Sequence, residues 1–325
     1  MTHQLPVVEP DIAAVPKAEL HCHIDGLLDV ELLQVLREAG HDPGVSDGDL
    51  ARHTPVTSVD HWLNEYAPVA ERACTPKDIR LPVLLEHHVH RLTRQGVTYA
   101  EIFVSSLLGT RRHEGELVEL FRDLRRRIDV AAAGAIQVEL VVCIGRAPRD
   151  RIERQFPKIM ALHRAGMICG VALAGDEAAH RVEPLRDLFA RFRDTGMGIE
   201  IHAGEWCGPE SVWDAIEHGV PDRLGHAITA FRDDRLLAEI ARRGIHIEFC
   251  PTSNLRLGAV RRIEDHPLAR AWTHGIDFSI NTDDPGPFAC SMSSELALVH
   301  RVFGYGEDEF RRVHEAVMAA RFAGR

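Results

Sequence analysis

Short apolar runs rich in β-branched residues recur along the chain, and stretches with the period of an amphipathic helix lie between them. Apolar runs of this length are typical of strands buried on both faces of a parallel sheet. The pattern predicts eight strands, which are Ala18–His23, Val97–Phe103, Val138–Ile144, Cys169–Leu173, Ile199–His202, Arg223–His226, His246–Cys250 and Asp277–Asn281. Several helical patterns stop at a glycine, as at Gly96 and Gly244, which is a common helix C-terminus.

Strands that alternate with helices predict an α/β protein, and eight of them favour a (β/α)8 TIM barrel. A doubly wound open sheet has the same alternation, because periodicity does not reveal the order of strands in a sheet. The chain contains no recognisable linker or internal repeat. We therefore expect one barrel domain over residues 1–325.

The longest connection follows the first predicted strand. It carries three helical patterns, Asp29–Glu38, Ser58–Arg72 and Leu81–Arg94. Long insertions at the catalytic face of a barrel often act as lids over the active site. We therefore expect a helical lid in this insertion.

An apolar stripe lies within the second of these patterns. Its members recur with helical spacing and are Val59, Trp62, Leu63 and Tyr66. Such a stripe either packs on the core or forms an apolar wall over a bound substrate, and the sequence leaves both interpretations open. Trp62 and Tyr66 are the candidates for substrate contacts.

Polar residues follow the apolar part of several predicted strands, at their carboxyl ends. These positions are His21 and His23, Gly175-Asp176-Glu177, His202-Ala203-Gly204-Glu205, His226, and Thr282-Asp283-Asp284. The carboxyl ends of all strands meet on one rim of a barrel, where such enzymes have their active sites. A random scatter of the chain's 20 histidines would not follow strand ends, so we expect one polar site.

This rim is predicted to bind one divalent metal ion, with the ligands His21, His23, His202 and Asp283. His21 and His23 are two residues apart in a strand and therefore point to the same face. Three imidazoles and a carboxylate suit Zn²⁺ or a similar ion. Asp283 is preferred to Asp284 because it comes first after the strand. In the alternative interpretation, His202 and Asp283 only hydrogen-bond to one another.

Two further polar residues of the rim are candidates for proton transfer. Glu205 and His226 would supply the acid and the base that a metal-dependent hydrolysis needs. Each also has a structural interpretation. Glu205 would be favoured by the dipole of a following helix, and His226 would be a core histidine bonded to backbone.

Composition and charge narrow the classes of partner. The chain has 325 residues, of which 45% are hydrophobic, and its net charge of −11 argues against binding to DNA or RNA. Its seven cysteines show no paired spacing, which indicates a reducing compartment. The stretch before Pro16 does not resemble a signal peptide, and no apolar run reaches the roughly 20 residues of a membrane span. We therefore expect a cytoplasmic protein without a membrane or nucleic-acid partner.

The motifs at these strand ends resemble those of the adenosine deaminase family, part of the amidohydrolase superfamily. The matching segments are AELHCHIDG (18–26), LAGDE (173–177), HAGE (202–205), RLGHA (223–227), CPTSN (250–254) and INTDDP (280–285). They follow the family's order and are spread over most of the chain. The resemblance implies a (β/α)8 barrel, one divalent ion per subunit, usually zinc, and hydrolytic removal of the 6-amino group of a purine.

The resemblance also implies roles for the residues of the rim, with the four ligands above holding the metal. Glu205 would donate a proton to purine N1 as water attacks C6, and His226 would orient or deprotonate that water. Asp284 would accept a hydrogen bond from the N7 side of the protonated intermediate. The amide of Gly175 would contact N3.

The substrate expected from the resemblance is adenosine or a close relative. In the family, an aspartate at the position of Asp25 is associated with recognition of a ribose hydroxyl, and residues 59–66 lie where the family has an apolar lid helix. Trp206 departs from the family pattern, which leaves room for a modified nucleoside. The alternatives are free adenine or another 6-aminopurine derivative such as aminodeoxyfutalosine. A catalytically inactive nucleoside-binding homologue is a further alternative, although the polar positions needed for chemistry are all present.

Overall fold

The computed structural model of the protein describes residues 11–109 and 111–324. Eight strands form one sheet in sequence order, and every neighbouring pair is parallel. They are β1 (Lys17–His23), β2 (Val97–Val104), β3 (Gln137–Gly145), β4 (Gly170–Ala174), β5 (Gly198–Ala203), β6 (Arg223–His226), β7 (His246–Phe249) and β8 (Phe278–Ile280). Each predicted strand boundary lies within one residue of the observed boundary.

The sheet closes into a barrel where the segment after β8 meets β1. The amide of His23 donates to the carbonyl of Asp283 at 2.8 Å, and the amide of Asp283 donates to the carbonyl of His21 at 3.0 Å. The amide of Leu20 donates to Asn281 Oδ1 at 2.9 Å. An open sheet leaves its two edge strands without such partners. The closure therefore confirms the (β/α)8 TIM barrel and excludes the doubly wound alternative.

Helices surround the barrel and fill its connections. Between β1 and β2 they are α1 (Val30–Glu38), α2 (Asp47–Ala51), α3 (Val59–His61), α4 (Ala67–Cys74) and α5 (Lys77–Arg94). Between β2 and β6 they are α6 (Glu114–Ala132), α7 (Arg149–Glu153), α8 (Phe156–Arg164), α9 (Arg186–Arg193) and α10 (Pro209–Asp214). The later helices are α11 (Asp234–Arg243), α12 (Pro251–Arg256), α13 (Leu268–Ala271), α14 (Pro285–Phe288), α15 (Met292–Phe303) and α16 (Glu307–Ala320).

None of the helices in the described part of the chain is long and apolar enough to cross a membrane. Residues 1–10, which include most of the stretch inspected for a signal peptide, lie outside the described residues.

The helical insertion after β1 is present, but its apolar stripe is not a single α-helical face. Residues Trp62–Tyr66 form a π-helical turn between α3 and α4. A π turn adds a residue to the helical repeat and so rotates the following residues away from the preceding face. Tyr66 is consequently buried in the core, where its hydroxyl donates to the carbonyl of Leu28 at 2.9 Å. Tyr66 also lines a small pocket together with Asp25 and Trp62, so its contact with the substrate stays a prediction.

A chain of buried charges lies inside the barrel, below the rim. Arg223 is 2.6 Å from Glu101 Oε2 and 2.6 Å from Glu248 Oε1. Its guanidinium group also lies over the ring of Phe322, 3.4 Å from the ring centre. Phe322 packs on Gly198, where a Cβ atom would lie 2.1 Å from that ring. The C-terminal segment thus closes the amino-terminal end of the barrel, which the periodicity of the sequence did not predict.

Candidate metal and active site

The four predicted ligands converge at the carboxyl ends of β1, β5 and β8. His23 Nε2 lies 3.3 Å from His202 Nε2 and 3.3 Å from Asp283 Oδ1. His21 Nε2 lies 3.4 Å from the same aspartate oxygen. Ligand atoms about 2.0–2.2 Å from a tetrahedral Zn²⁺ are about 3.3–3.6 Å from one another. The spacing of these side chains therefore fits a divalent ion.

Asp283, and not Asp284, supplies the carboxylate of this cluster. The hydroxyl of Ser253 donates to Asp283 Oδ2 at 2.6 Å, which leaves Oδ1 on the side of the histidines. Asp283 has a φ of +63°, a left-handed conformation that aspartate tolerates better than most residues. Its backbone can therefore bond to β1 while its side chain remains at the rim.

Two buried carboxylates orient the ligand histidines. Glu248 Oε2 lies 2.8 Å from His21 Nδ1, and Glu200 lies 3.0 Å from His202 Nδ1. Each carboxylate accepts the Nδ1 proton, so that Nε2 of the neutral ring carries a lone pair directed into the cluster. Carboxylate, histidine and metal arranged in this order are typical of metal sites.

Two of the three candidate ligand histidines are held in the uncharged form that binds metals. Burial lowers the pKa of His23 to about 3 and lowers the pKa of His202 well below its usual value. At His21, burial is outweighed by hydrogen bonds to Asp283 and Glu248, which raise its pKa well above the usual value, so His21 would release a proton on binding a metal ion. Burial also raises the pKa of Glu200 to about 7 and raises that of Glu248. A cation at the rim would offset the cost of burying these carboxylates.

Sequence reasoning missed both orienting carboxylates. Glu200 had a detectable signal, because a charged residue two positions before His202 in a buried strand shares its inward face. Glu248 had only the weaker signal of a charge inside the apolar run of β7. Its pairing with His21 joins residues 227 positions apart, which a periodic pattern does not reveal.

Glu205 is buried at the start of the loop that follows β5, and Glu177 holds that loop. The carboxylate of Glu177 accepts hydrogen bonds from the amides of Gly204 (2.7 Å), Trp206 (2.7 Å) and Cys207 (2.8 Å). Glu205 Oε2 lies 3.5 Å from the neighbouring imidazole at the end of β6, and its Oε1 has no hydrogen-bond partner among the described residues. Burial raises the pKa of Glu205 well above its usual value, which favours the protonated carboxyl group.

A chain of hydrogen bonds fixes the tautomer of His226. The amide of Leu268 donates to His266 Nδ1 at 3.2 Å, so His266 Nε2 carries a proton and donates to Asn254 Oδ1 at 3.1 Å. The amide nitrogen of Asn254 then donates to His226 Nδ1 at 3.1 Å. Burial lowers the pKa of His226 well below its usual value. The neutral ring therefore carries its single proton on Nε2, on the side of Glu205.

A cavity of about 670 Å³ opens above the metal ligands. Its floor is polar and includes His23, His202, Glu205, His226, Asp283 and Asp284. Its outer wall is apolar and includes Val59, Trp62, Leu63, Trp206 and Leu257. Leu63 and Trp206 are 59% and 45% exposed, so two large apolar side chains border the mouth in contact with solvent. Lone exposed apolar residues are common, but a pair at the mouth of a polar cavity is typical of a ligand site.

The remaining predicted contact residues also border this cavity. Asp284 is buried beside Gly26, where a Cβ atom would lie 1.8 Å from Asp284 Oδ1. Gly26 is therefore required for close approach as well as for the turn after β1. Gly175 has a φ of +107°, which only glycine adopts readily. Asp25 lies 3.4 Å from Lys77 Nζ and accepts a hydrogen bond from the hydroxyl of Ser105.

Comparisons with known proteins identify the family of this chain. The family model described as adenosine deaminase matches residues 16–324. An adenine deaminase of Sinorhizobium medicae is 32% identical over 319 residues, which cover 95% of each chain. An aminodeoxyfutalosine deaminase of Streptomyces coelicolor is 31% identical over 316 residues, which cover 93% of this chain and 80% of that protein.

Among solved structures, an adenine deaminase from Arthrobacter aurescens has the same fold. It superposes with a TM-score of 0.83 over 96% of this chain and 95% of that chain, at 22% identity. The fold, the family match over nearly the whole chain and the relatives above 30% identity lead to one conclusion. This chain belongs to the adenosine deaminase family.

Proposed function

We propose that this protein hydrolyses the exocyclic amino group of a 6-aminopurine, with Zn²⁺ bound by His21, His23, His202 and Asp283. The observation that carries the proposal is the position of Glu205 and His226 beside this ligand set, at the floor of one cavity. An acid, a hydrogen-bond donor and a metal site in one cavity are the groups that hydrolytic deamination requires. A zinc ion at this site would lower the pKa of a water molecule and so supply the nucleophile at neutral pH.

His226 holds the attacking water rather than removing its proton. Because Asn254 donates to His226 Nδ1, the proton of the neutral ring lies on Nε2, which faces the cavity. An N–H group at this position donates a hydrogen bond to the oxygen that adds to C6. The geometry therefore supports the orienting role, one of the two roles considered for His226.

Glu205 supplies the proton that the ring nitrogen needs. Burial raises the pKa of its carboxyl group and so favours the protonated form, and its Oε1 has no hydrogen-bond partner among the described residues. As the water oxygen bonds to C6, the Glu205 proton moves to N1. The double bond between C6 and N1 is lost, and with it the aromaticity of the six-membered ring. The C6–N bond then breaks and the amino group leaves as ammonia. Of the two protons of the attacking water, one goes to the leaving amino group and the other restores the carboxyl group of Glu205, and the 6-keto purine remains.

Asp284 orients the five-membered ring of the purine by donating a hydrogen bond from its carboxyl group. Burial raises its pKa well above its usual value, and the charge of Asp283 adds to that effect. A protonated carboxyl group donates a hydrogen bond, and N7 of adenine is an acceptor. In its protonated form Asp284 would donate to N7, and we propose this direction instead of the acceptor role that the resemblance implied. The amide of Gly175 remains our proposal for the contact with N3.

The substrate we propose is an adenine nucleoside with an apolar group at its distal end, rather than adenosine itself. A cavity of about 670 Å³ is in the range of about 300–1,000 Å³ that binds drug-sized ligands, and its outer wall is apolar. Trp62 and Asp25 also border a second, smaller pocket of about 240 Å³. The aminodeoxyfutalosine deaminase among the relatives supports a substrate that extends beyond the purine.

Free adenine is the second candidate. The Sinorhizobium medicae relative is named an adenine deaminase and matches along almost its whole length. In addition, both oxygens of Asp25 already have partners, in Lys77 and Ser105. A ribose hydroxyl would have to compete with these groups for the aspartate.

A substrate panel distinguishes the two candidates. We would measure ammonia release from adenine, adenosine, AMP and a 5′-deoxyadenosine with an apolar 5′ substituent, with metal analysis of the same sample. We expect the substituted nucleoside to have the highest kcat/KM, and Leu63→Ala with Trp206→Ala to lower it about 10-fold or more by removing the apolar wall. Adenine serves as the internal control. It is too small to reach the apolar wall, so its kcat/KM should change little in the double variant. If adenine has the highest kcat/KM of the panel, and if this value is unchanged in the double variant, free adenine is the substrate.

Failure of every aminopurine in the panel would have a different meaning. If the metallated protein binds a nucleoside and releases no ammonia, the catalytic proposal is wrong and the inactive nucleoside-binding alternative holds.

A further prediction concerns the hydrogen bonds behind His226. Asn254→Leu removes the donor that fixes the His226 tautomer, so we expect kcat to fall about 10–100-fold, as for other residues that orient a site from behind. KM and metal content should change little, since Asn254 contacts His226 and His266 and none of the proposed ligands. Steady-state kinetics and metal analysis test this. His266 is one hydrogen bond further from His226 than Asn254, so His266→Leu should reduce kcat by a smaller factor. If kcat of Asn254→Leu stays within twofold of the wild-type value, the role assigned to Asn254 is wrong.

A further inference from the structure

A second group of metal-binding side chains lies on the other side of β1, against α5. Glu19, Cys22 and His88 are all buried, and one ligand atom of each lies within 4.8 Å of the other two. Cys22 Sγ is 3.7 Å from His88 Nε2. None of these three residues takes part in the proposed reaction, so the inference drawn from them is independent of it.

An irregularity in β1 brings Glu19 and Cys22 to the same side. Glu19 is paired with Ala100 and Cys22 with Ile102, so β1 advances by one residue more than β2 between these pairs. In a regular strand, residues three positions apart point to opposite faces. The extra residue of a bulge changes that alternation. Both side chains can therefore reach His88, which projects from α5.

Glu19 lacks a partner on one of its two oxygens. Its Oε1 accepts hydrogen bonds from the amide of Thr282 at 2.9 Å and from the hydroxyl of the same residue. Its Oε2 is buried and has no hydrogen-bond partner among the described residues. A buried carboxylate oxygen is destabilising unless a donor or a cation satisfies it. Cys22 and His88 each place a ligand atom within 4.8 Å of a carboxylate oxygen of Glu19.

A cleft of about 340 Å³ connects this group with the surface. Glu19 and His88 line its inner part, together with Thr282 and Cys290, while Arg94 lies at the exposed side. The cleft gives an ion a path to Glu19 and His88, and Cys22 lies behind them without lining the cleft. The cleft also has room for a water molecule as a fourth ligand.

We infer that Glu19, Cys22 and His88 form a second divalent-cation site, separate from the catalytic one. A thiolate, an imidazole and a carboxylate are the donor types that Zn²⁺ and Co²⁺ accept in tetrahedral sites. The ion would connect α5 to β1 and, through Thr282, to the segment that carries Asp283. It would supply the partner that Glu19 Oε2 lacks.

Cobalt substitution tests the inference, because only this site offers sulfur as a ligand in our assignment. We would load the full-length apoprotein with Co²⁺, measure the metal content by mass spectrometry and record the near-ultraviolet spectrum. We expect about two ions per chain and a thiolate-to-cobalt charge-transfer band. About one ion per chain without that band would overturn the inference.

Variants assign the band to its ligands. Cys22→Ser and His88→Gln should each remove the band and about one equivalent of Co²⁺, while His202→Ala should lose the other equivalent and keep the band. Cys250→Ser is the matched control, since this thiol lies near His226 and Asp283 at the catalytic rim. A band that survives Cys22→Ser and disappears in Cys250→Ser would overturn the inference. His88→Gln changes a residue of α5 instead of β1, so it provides the test if Cys22→Ser does not fold.

Discussion

Replacing Glu205 by glutamine should reduce kcat about 10²–10⁴-fold while leaving the metal in place. The amide occupies nearly the same volume, so the loop held by Glu177 should keep its conformation. It has no acidic proton to give, however, and the ring nitrogen of the purine must take up a proton before water can add efficiently to C6. Single-turnover rates, together with metal analysis of the same preparation, measure this effect.

Glu210→Gln is the matched control for this variant. Glu210 is an exposed carboxylate in the first turn of α10, five residues after Glu205, and it accepts a hydrogen bond from the nearby amide of Gly208. We expect the control to retain wild-type rates. Near-normal turnover of Glu205→Gln would show that another group protonates the purine, and the assignment of the acid would then be wrong.

The second large effect is expected from His202→Ala, through loss of the metal. His202 Nε2 lies 3.3 Å from His23 Nε2, and Glu200 orients the ring from behind. Replacing a residue that only orients a metal ligand typically lowers metal affinity or activity about 10–100-fold. Removal of the ligand itself should therefore lower metal affinity at least about 100-fold. Activity at limiting metal should fall by at least the same factor.

Metal titration followed by thermal unfolding measures the loss. Wild-type protein should gain thermal stability as the ion is added, whereas His202→Ala should gain much less from the catalytic site. His246→Ala is the matched control, because His246 is also buried but begins β7 at the opposite end of the barrel. It should lose stability from the cavity it creates and still bind the catalytic metal. Equal metal content in wild type and His202→Ala would contradict the ligand assignment.

The position of the site could be predicted from the sequence because two simple periods combine. Apolar runs mark the strands, and the strand period of two places His21 and His23 on one face. A parallel barrel then brings all the carboxyl ends to one rim, so His202, Glu205 and Asp283 follow from where each run ends. No long-range contact has to be known for this step. For the same reason every strand could be predicted to within one residue.

The roles of the residues could be predicted less well, because they depend on partners from distant elements. Whether His226 donates or accepts a proton depends on Asn254 and His266, which lie on other segments of the chain. The direction of the Asp284 hydrogen bond depends on its burial beside Gly26 and on the neighbouring charge of Asp283. A motif places these residues without giving their protonation.

The sequence by itself thus predicted the alternating strands and helices and the polar rim from the order of apolar and polar positions, and it predicted the family from the motifs at the strand ends. The closure of the sheet into a barrel was established by the structure. Where a helix or a strand departs from its regular repeat, only the tertiary structure showed which side chains share a face. The π turn at Trp62–Tyr66 directs Tyr66 into the core, and the bulge in β1 turns Glu19 towards Cys22. Both result from a single additional residue in a repeat, which shifts the direction of the following side chains without altering the composition of the segment.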